Sequence, residues 1–278
     1  MNTRLLKLAS VIILSVCFTY GCQKESDLQD VGLNAFYKSS SEFSECDFYL
    51  SESQIDSIGI EHNRLVPIIF ETYLSNNEIT ILEALNEGFE ADLYPTLSFE
   101  EFEYFEKEFS IEKIQETVEY IIDTMSNELQ KNIFNEMVHI VTENTSSYPE
   151  VLLQLESLKE QAIVDLTCYE LLSTLVTLEV CINSAKLWYS TEAGGEGYYD
   201  YITSEQGEST SNKGFWSSIG KIVIGDAIGA FSGFCSGAMP YLISGGAANP
   251  ISNAILAGQT IRGAVTGSVS AAVNQVIR

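Results

Sequence analysis

Four glycines recur at every fourth position of the stretch GDAIGAFSGFCSG, at Gly225, Gly229, Gly233 and Gly237. If this stretch is helical, each glycine costs about 1 kcal/mol relative to alanine, or about 4 kcal/mol for the four. A step of four residues advances a helix by about 400°, so the four glycines stay within one third of its circumference. We therefore expect this face to lie against a neighbouring backbone, closer than side chains would allow.

A second segment rich in small residues follows the turn at 245–250. It contains the pattern Ala254-x-x-x-Gly258 and then Gly263-x-x-x-Gly267. Small residues at this spacing let helix backbones approach closely, as they do at helix interfaces in membranes. The two segments are therefore predicted to form a small-residue hairpin, although the same glycine face is equally suited to self-association between copies of the chain.

The hairpin also has the length and polarity of a membrane element. Asp226 is the only charged residue from Ile222 to Ser244, and a helix of this length spans about 35 Å, against about 30 Å for a hydrocarbon core. The second segment carries Arg262 near its middle, which costs about 2.5–3.5 kcal/mol in a spanning helix. Sequence alone leaves open whether protein or lipid surrounds the hairpin.

Charge divides the chain into two unlike parts. The 278 residues carry a net charge of -25, and every acidic residue except Asp226 lies within residues 22–213. Such a surface repels phosphate backbones, so nucleic acid is not an expected partner.

Helical periodicity runs through the acidic part, and no strand alternation competes with it. Pro67 is expected to start, kink or end a helix, and a capping box at Ser98–Glu101 to open one. One long helix is predicted from Ser110 past Ile140 and another from Val151 towards Trp188, packed as an antiparallel pair. The fold class is all-α: a helical bundle with long antiparallel helices and a C-terminal small-residue hairpin. The predicted parts are a signal peptide (1–21), a lipid anchor and tether (22–50), an acidic bundle (51–189), a linker (190–213) and the hairpin (214–278).

The first residues, MNTRLLKLASVIILSVCFTYGC, have the order of a secretory signal: basic residues, a short apolar run and a small residue before Cys22. This stretch resembles the lipobox of bacterial lipoproteins, which implies lipidation of Cys22 and a membrane partner through that lipid. The following QKESD resembles the surface-export signal of Bacteroidota lipoproteins. The triplets around Ser57 and Thr124 resemble the O-glycosylation sequon of exported proteins in the same bacteria. We therefore expect an exported, outer-membrane protein, with cell-surface exposure left open.

Four cysteines outside this leader are candidates for disulfides in an oxidising envelope: Cys46, Cys168, Cys181 and Cys235. Their pairing is open, and buried thiols are the alternative. Cys168 and Cys181 are roughly 20 Å apart on one straight helix, so these two pair only if the helix breaks between them.

The sequence contains few motifs that indicate catalysis, metal binding or phosphate binding. Glu136 and His139 match the Glu-x-x-His spacing of di-iron bundles, but the second copy that such a site needs does not occur. The segment 214–221 fails the spacing of a phosphate loop. We predict no catalytic residue, no metal site and no cofactor.

The run IGIEHN is similar to a stretch of Bacteroidota lipoproteins that implies no activity. We expect Gly59 to permit a close helix crossing, and His62 and Asn63 to satisfy backbone groups near Pro67.

The C-terminal region resembles the Gly/Ala-rich helices of bacteriocin-like peptides and glycine-zipper proteins, which implies membrane activity or close assembly. Three hypotheses follow. The first is a non-enzymatic envelope lipoprotein whose hairpin mediates helix packing or assembly. The second is a membrane-active, pore-forming protein whose hairpin enters a bilayer. The third is an envelope ligand-binding protein or enzyme.

Overall fold

The computed structural model describes residues 50–274, apart from 77, 93, 111–112, 144–146, 206–211 and 245–249. Within these residues the chain is helical and has no strand, so the predicted all-α fold class is confirmed. The helices are α1 (Glu52–Ser75), α2 (Ile81–Ala91), α3 (Phe99–Glu108), α4 (Ile114–Thr124), α5 (Glu128–Glu143), α6 (Tyr148–Asp165), α7 (Cys168–Trp188), α8 (Tyr198–Glu205), α9 (Asn212–Ser244) and α10 (Pro250–Ala272).

Local polar residues fix several helix starts. The predicted capping box at Ser98 and Glu101 is present at the start of α3, where the Ser98 N–H donates to Glu101 Oε2 at 2.9 Å. Thr80 and Glu83 form a second capping box at the start of α2. These reciprocal bonds satisfy amide groups that have no partner inside a helix.

The two long helices of the acidic part are interrupted, which the sequence analysis did not predict. The first divides at 125–127 into α4 and α5, and Asn127 Oδ1 accepts the N–H groups of Leu129 and Gln130. The second divides at 166–167 into α6 and α7, and Cys168 begins α7 with a φ of 45°. In both cases the apolar period continues across the break, so periodicity alone could not reveal it.

Pro67 neither begins nor ends a helix, because α1 continues through it. The Tyr198 hydroxyl from α8 donates to the Pro67 carbonyl at 3.3 Å. That contact also corrects the expected linker, since part of 190–213 is a packed helix that buries Tyr198, Tyr199 and Ile202. The turn before it depends on Gly194 and Gly197, which have φ values of 89° and 76°, a left-handed region that favours glycine.

One hydrophobic core joins all of these helices. The hairpin of α9 and α10 lies at its centre, with α7, α5 and α4 against α9, and with α1 and α3 against α10. We call α1–α8 the jacket. The jacket and the hairpin bury their apolar residues together, so the contact between them determines where any functional site lies.

Candidate functional site

The predicted glycine face is the place where α9 and α10 touch. A Cβ at Gly229 would overlap the carbonyl oxygen of Gly263, and one at Gly263 would overlap the carbonyl oxygen of Gly229. A Cβ at Gly267 would likewise overlap the Gly225 carbonyl oxygen. Backbone therefore lies directly on backbone along this seam, and any side chain at these positions would force the two helices apart.

Two predicted members of the seam lie differently. A Cβ at Gly237 would be 3.1 Å from side-chain atoms of Gln259 and Leu256 and 3.2 Å from the Leu256 Cα, so the helices are less closely apposed there than at Gly229. Gly258 lies beside Tyr94 of the jacket, where a Cβ would sit 3.5 Å from the ring, an ordinary contact distance. Ala254, its predicted companion, is exposed. The seam on α10 follows Gln259, Gly263 and Gly267, because its helical face is rotated away from the Ala254–Gly258 pair.

Protein covers the hairpin in the part of the chain that the structure describes. There, α9 contains a segment, Ser218–Ala238, that is long and apolar enough to cross a membrane by length and composition. The core helix of a water-soluble protein meets the same test, and 83% of the most apolar window is buried.

The acidic residue of α9, Asp226, lies in a polar cluster where α1, α7 and α9 meet. Asp226 is fully buried, and its Oδ2 accepts the Ser184 hydroxyl at 2.5 Å and the Trp188 Nε1–H at 3.1 Å. Nε2 of His62 lies 3.3 Å from the same oxygen, and that side chain is fully buried too. We call Asp226, His62, Ser184 and Trp188 the buried polar cluster. It gives the lone acid of the hairpin its partners in the jacket.

The predicted run around Gly59 builds the α1 side of this cluster. A Cβ at Gly59 would overlap the side chain of Asn183, so α1 and α7 cross closely there, as expected. Asn63 Nδ2 donates to the Asn183 carbonyl at 2.7 Å, and Asn63 Oδ1 lies 2.9 Å from His62 Nδ1. The expectation that this pair serves backbone near Pro67 is wrong, because both side chains turn towards α7 and α9.

The cluster contains the serine, histidine and aspartate of a hydrolase triad, but the three side chains are connected in a different way. In a triad the serine bonds to the histidine and the aspartate orients the histidine. Here the Ser184 hydroxyl donates to Asp226 and His62 faces the carboxylate. Ser184 and His62 are fully buried, so a substrate cannot reach them. The geometry fits a structural cluster and does not fit a nucleophile.

The arginine of α10 is also held by the jacket. Arg262 of α10 pairs with Glu101 Oε2 at 3.1 Å and donates to the Thr96 carbonyl, also at 3.1 Å. Burial opposes the ionised form of Glu101, but the Ser98 N–H and the Arg262 guanidinium lower the pKa of its carboxyl below the ordinary value. The arginine that counts against a spanning helix therefore serves as a contact to the start of α3.

The cysteines divide into two kinds. Cys168 is disulfide-bonded, to a partner outside the described residues. Cys181 and Cys235 are buried thiols, so the question of a bond between Cys168 and Cys181 is answered in the negative. Burial raises the pKa of the Cys181 thiol well above its ordinary value, and the Asp226 carboxylate adds to the rise.

The remaining predicted positions are dispersed. Ser57 is exposed on α1, and Thr124, at the end of α4, donates to the Ile121 carbonyl. Glu136 and His139 lie on the exposed face of α5. Among the described residues no group of three His, Cys, Asp or Glu side chains is placed to hold a metal ion. Cys22 and Cys46 lie outside the described residues. A polar surface depression between α4 and α5 is lined by Glu119, Ile122, Asp123, Glu128, Lys131, Asn132 and Asn135.

Comparison with known protein families, with curated proteins and with solved structures finds no match for this chain. The geometry therefore carries the functional argument alone. Sequence reasoning found the glycine seam and singled out His62 and Asp226 separately, but it did not pair them. The signal was available, because a lone acid in an apolar helix and a lone histidine on an apolar face each require a buried partner.

Substitution of alanine for Gly229 is expected to destabilise the protein by about 1–3 kcal/mol, because the new methyl group overlaps the Gly263 carbonyl. The matched control is Gly258→Ala, where space exists beside Tyr94 and the higher helix propensity of alanine adds up to about 1 kcal/mol of stability. Urea unfolding followed by circular dichroism measures both. Equal effects of the two variants would contradict the seam.

Replacing Ser184 by alanine removes one of the two hydrogen bonds to the buried Asp226 carboxylate. We expect the free energy of unfolding to fall by about 1.5–3 kcal/mol, as for hydrogen bonds to charged groups. Ser204→Ala is the control, since Ser204 is exposed and bonds only to the Tyr201 carbonyl, and its effect should stay within about 0.5 kcal/mol. A loss for Ser184→Ala as small as the control's would argue against a buried carboxylate.

Proposed function

We propose that this chain is a non-enzymatic lipoprotein of the cell envelope, anchored through Cys22, in which the glycine hairpin is the closely packed centre of an acidic helical bundle. One observation carries the proposal: the glycines of α9 and α10 meet backbone to backbone inside the chain. A face that is filled in this way offers no groove to a second copy. The geometry therefore favours assembly of the chain's own core over self-association through the same glycines.

The placement of charge supports a role at the envelope. The jacket carries most of the acids of the chain, while most of the described side chains of the hairpin are buried. A strongly acidic surface stays soluble beside a membrane whose lipids are themselves anionic, and it does not bind nucleic acid. The lipid on Cys22 then supplies the attachment that the surface of the bundle does not.

The anchor can be tested directly with Cys22→Ala. We expect the unaltered chain to incorporate a labelled fatty acid and to sediment with membranes, and the variant to do neither, because a thioether-linked lipid requires this thiol. Cys46→Ala serves as the control and should keep the lipid. Modification of intact cells by a reagent that does not cross membranes then reports which side of the outer membrane the bundle faces. Unchanged lipid incorporation in Cys22→Ala would refute the anchor.

A second candidate function is membrane activity, and one observation favours it. Hydroxyl groups of the hairpin donate to carbonyls of their own helix, as in Ser236 to Ser232, Thr260 to Leu256 and Thr266 to Arg262. Bonds of this kind survive transfer into lipid, where every polar group must be satisfied within the protein. Entry into a bilayer would separate the polar contacts of Asp226, Arg262 and Asn274 with the jacket, together with the apolar contacts between the hairpin and the jacket.

Dye release from vesicles distinguishes this second candidate from the first. If the hairpin enters bilayers, the full-length Cys22→Ala protein should release a trapped dye from phosphatidylcholine and phosphatidylglycerol vesicles. The absence of the lipid in this variant assigns any leakage to the hairpin and not to the anchor. If the vesicles stay intact at protein concentrations that saturate binding, the membrane-active function is excluded and the packing function is kept.

A further inference from the structure

We propose that the buried pair of His62 and Asp226 is a proton-binding site, which holds one proton on one of the two side chains and thereby ties the jacket to the hairpin. His62 Nε2 and Asp226 Oδ2 are 3.3 Å apart, and both side chains are fully buried. Neither Nε2 nor the other carboxylate oxygen, Oδ1, has a hydrogen-bond partner among the described residues. The inference does not rest on the proposed function, since it concerns the joint between α1 and α9 in any functional setting.

The neighbouring amide determines which atoms carry hydrogen. Asn63 Nδ2 donates to the Asn183 carbonyl at 2.7 Å, so the other amide atom, Oδ1, is the oxygen and accepts. That oxygen lies 2.9 Å from His62 Nδ1, which must therefore be the donor. A neutral imidazole with hydrogen on Nδ1 presents a lone pair at Nε2. The lone pair of Nε2 would then face Asp226 Oδ2.

One proton on the pair removes the repulsion between the Nε2 lone pair and the carboxylate oxygen. With one proton the pair is either imidazolium with carboxylate or imidazole with carboxylic acid, and both forms are neutral overall. With no proton a buried negative charge is left, and with two protons a buried positive charge is left. An uncompensated charge away from water is strongly unfavourable, so the folded protein should hold one proton here over a wide range of pH.

The surrounding groups do not compensate a change of charge at the pair. Ser184 and Trp188 are neutral donors to Asp226 Oδ2. Burial keeps the pKa of the Cys181 thiol on α7 and of the Tyr198 hydroxyl on α8 far above their ordinary values, so both stay neutral. Other charged residues on these elements and on α10 pair away from the cluster: Arg64 with Glu61 and Asp92, Glu179 with Lys159, Lys186 with Glu196, and Arg262 with Glu101. Lys221 lies on the partly exposed side of α9.

The sign of the pH dependence follows from counting protons in the folded and unfolded chains. In an unfolded chain, histidine loses its proton near pH 6.5 and aspartate near pH 3.9, so the two groups hold about two protons below that range, one within it and none above it. Above about pH 6.5 the folded pair holds the extra proton, so the stability from the pair falls as pH rises. Below about pH 3.9 the unfolded chain holds the extra proton, so that stability falls as pH falls.

Proton magnetic resonance of the unaltered full-length protein provides the first test. The chain has two histidines, His62 and His139, and His139 is exposed on α5. We expect the imidazole Cε1–H signal of His62 to stay constant between roughly pH 4.5 and pH 8, because any change of charge at the buried pair is unfavourable. His139→Gln assigns the two signals. A His62 signal that shifts within this pH range would overturn the proposal.

A double-mutant cycle with His62→Gln, Asp226→Asn and the double variant provides the second test. In urea unfolding near pH 5.5 we expect the double variant to be more stable than the sum of the single effects by about tenfold in the unfolding equilibrium constant. This coupling should shrink towards zero by about pH 9, where the unfolded chain has lost the proton. His139→Gln combined with Asp226→Asn is the control cycle and should be additive. Coupling that is absent, or equal at both pH values, would refute the site, and the resonance test stands even if a variant does not fold.

Discussion

The direct contact of backbone with backbone between α9 and α10 is the constraint on which the other helices depend. Because Gly229 and Gly263 have no side chains at the crossing, each helix comes within contact of the carbonyl groups of the other. The pair therefore acts as one thin apolar unit, and the jacket helices can reach both of its members. Dispersion and the burial of apolar surface along this pair offset the low helix propensity of glycine. A thicker hairpin would displace α1 and α7 and separate the residues that meet at Asp226.

Asp226 and Arg262 give the hairpin a definite register in the bundle. Apolar surfaces alone tolerate sliding and rotation, but Asp226 must reach His62, Ser184 and Trp188, while Arg262 must reach Glu101 and Thr96. Removing either side of such a contact leaves a buried charge without a partner, which costs far more than the contact itself contributes. Polar contacts of this kind therefore select one arrangement of the jacket around the hairpin. The proposed proton-binding pair, His62 and Asp226, belongs to one of these contacts.

Sequence reasoning succeeded where the information is local. The glycine period predicted which face of α9 lies against a neighbour, the run from Ser98 to Glu101 predicted a helix start, and Gly59 predicted a close crossing. It failed where a break leaves the periodicity intact, as at Asn127 and Cys168, and where burial comes from distant residues, as for Tyr198 in the predicted linker. Pro67 does not start or end a helix, because α1 continues through it.

By itself the sequence determined that the chain is helical, that its acids and its glycines lie in different segments, and that one face of α9 must lie close to a neighbour. These properties follow from periodicity, composition and the cost of glycine in a helix, all of which are readable along the chain. Only the tertiary structure decided that the jacket packs against the hairpin, that Gly258 lies outside the seam, and that His62 and Asp226 meet in one buried cluster. The reason is that these contacts join residues far apart in sequence, whose meeting depends on how the described helices share one core.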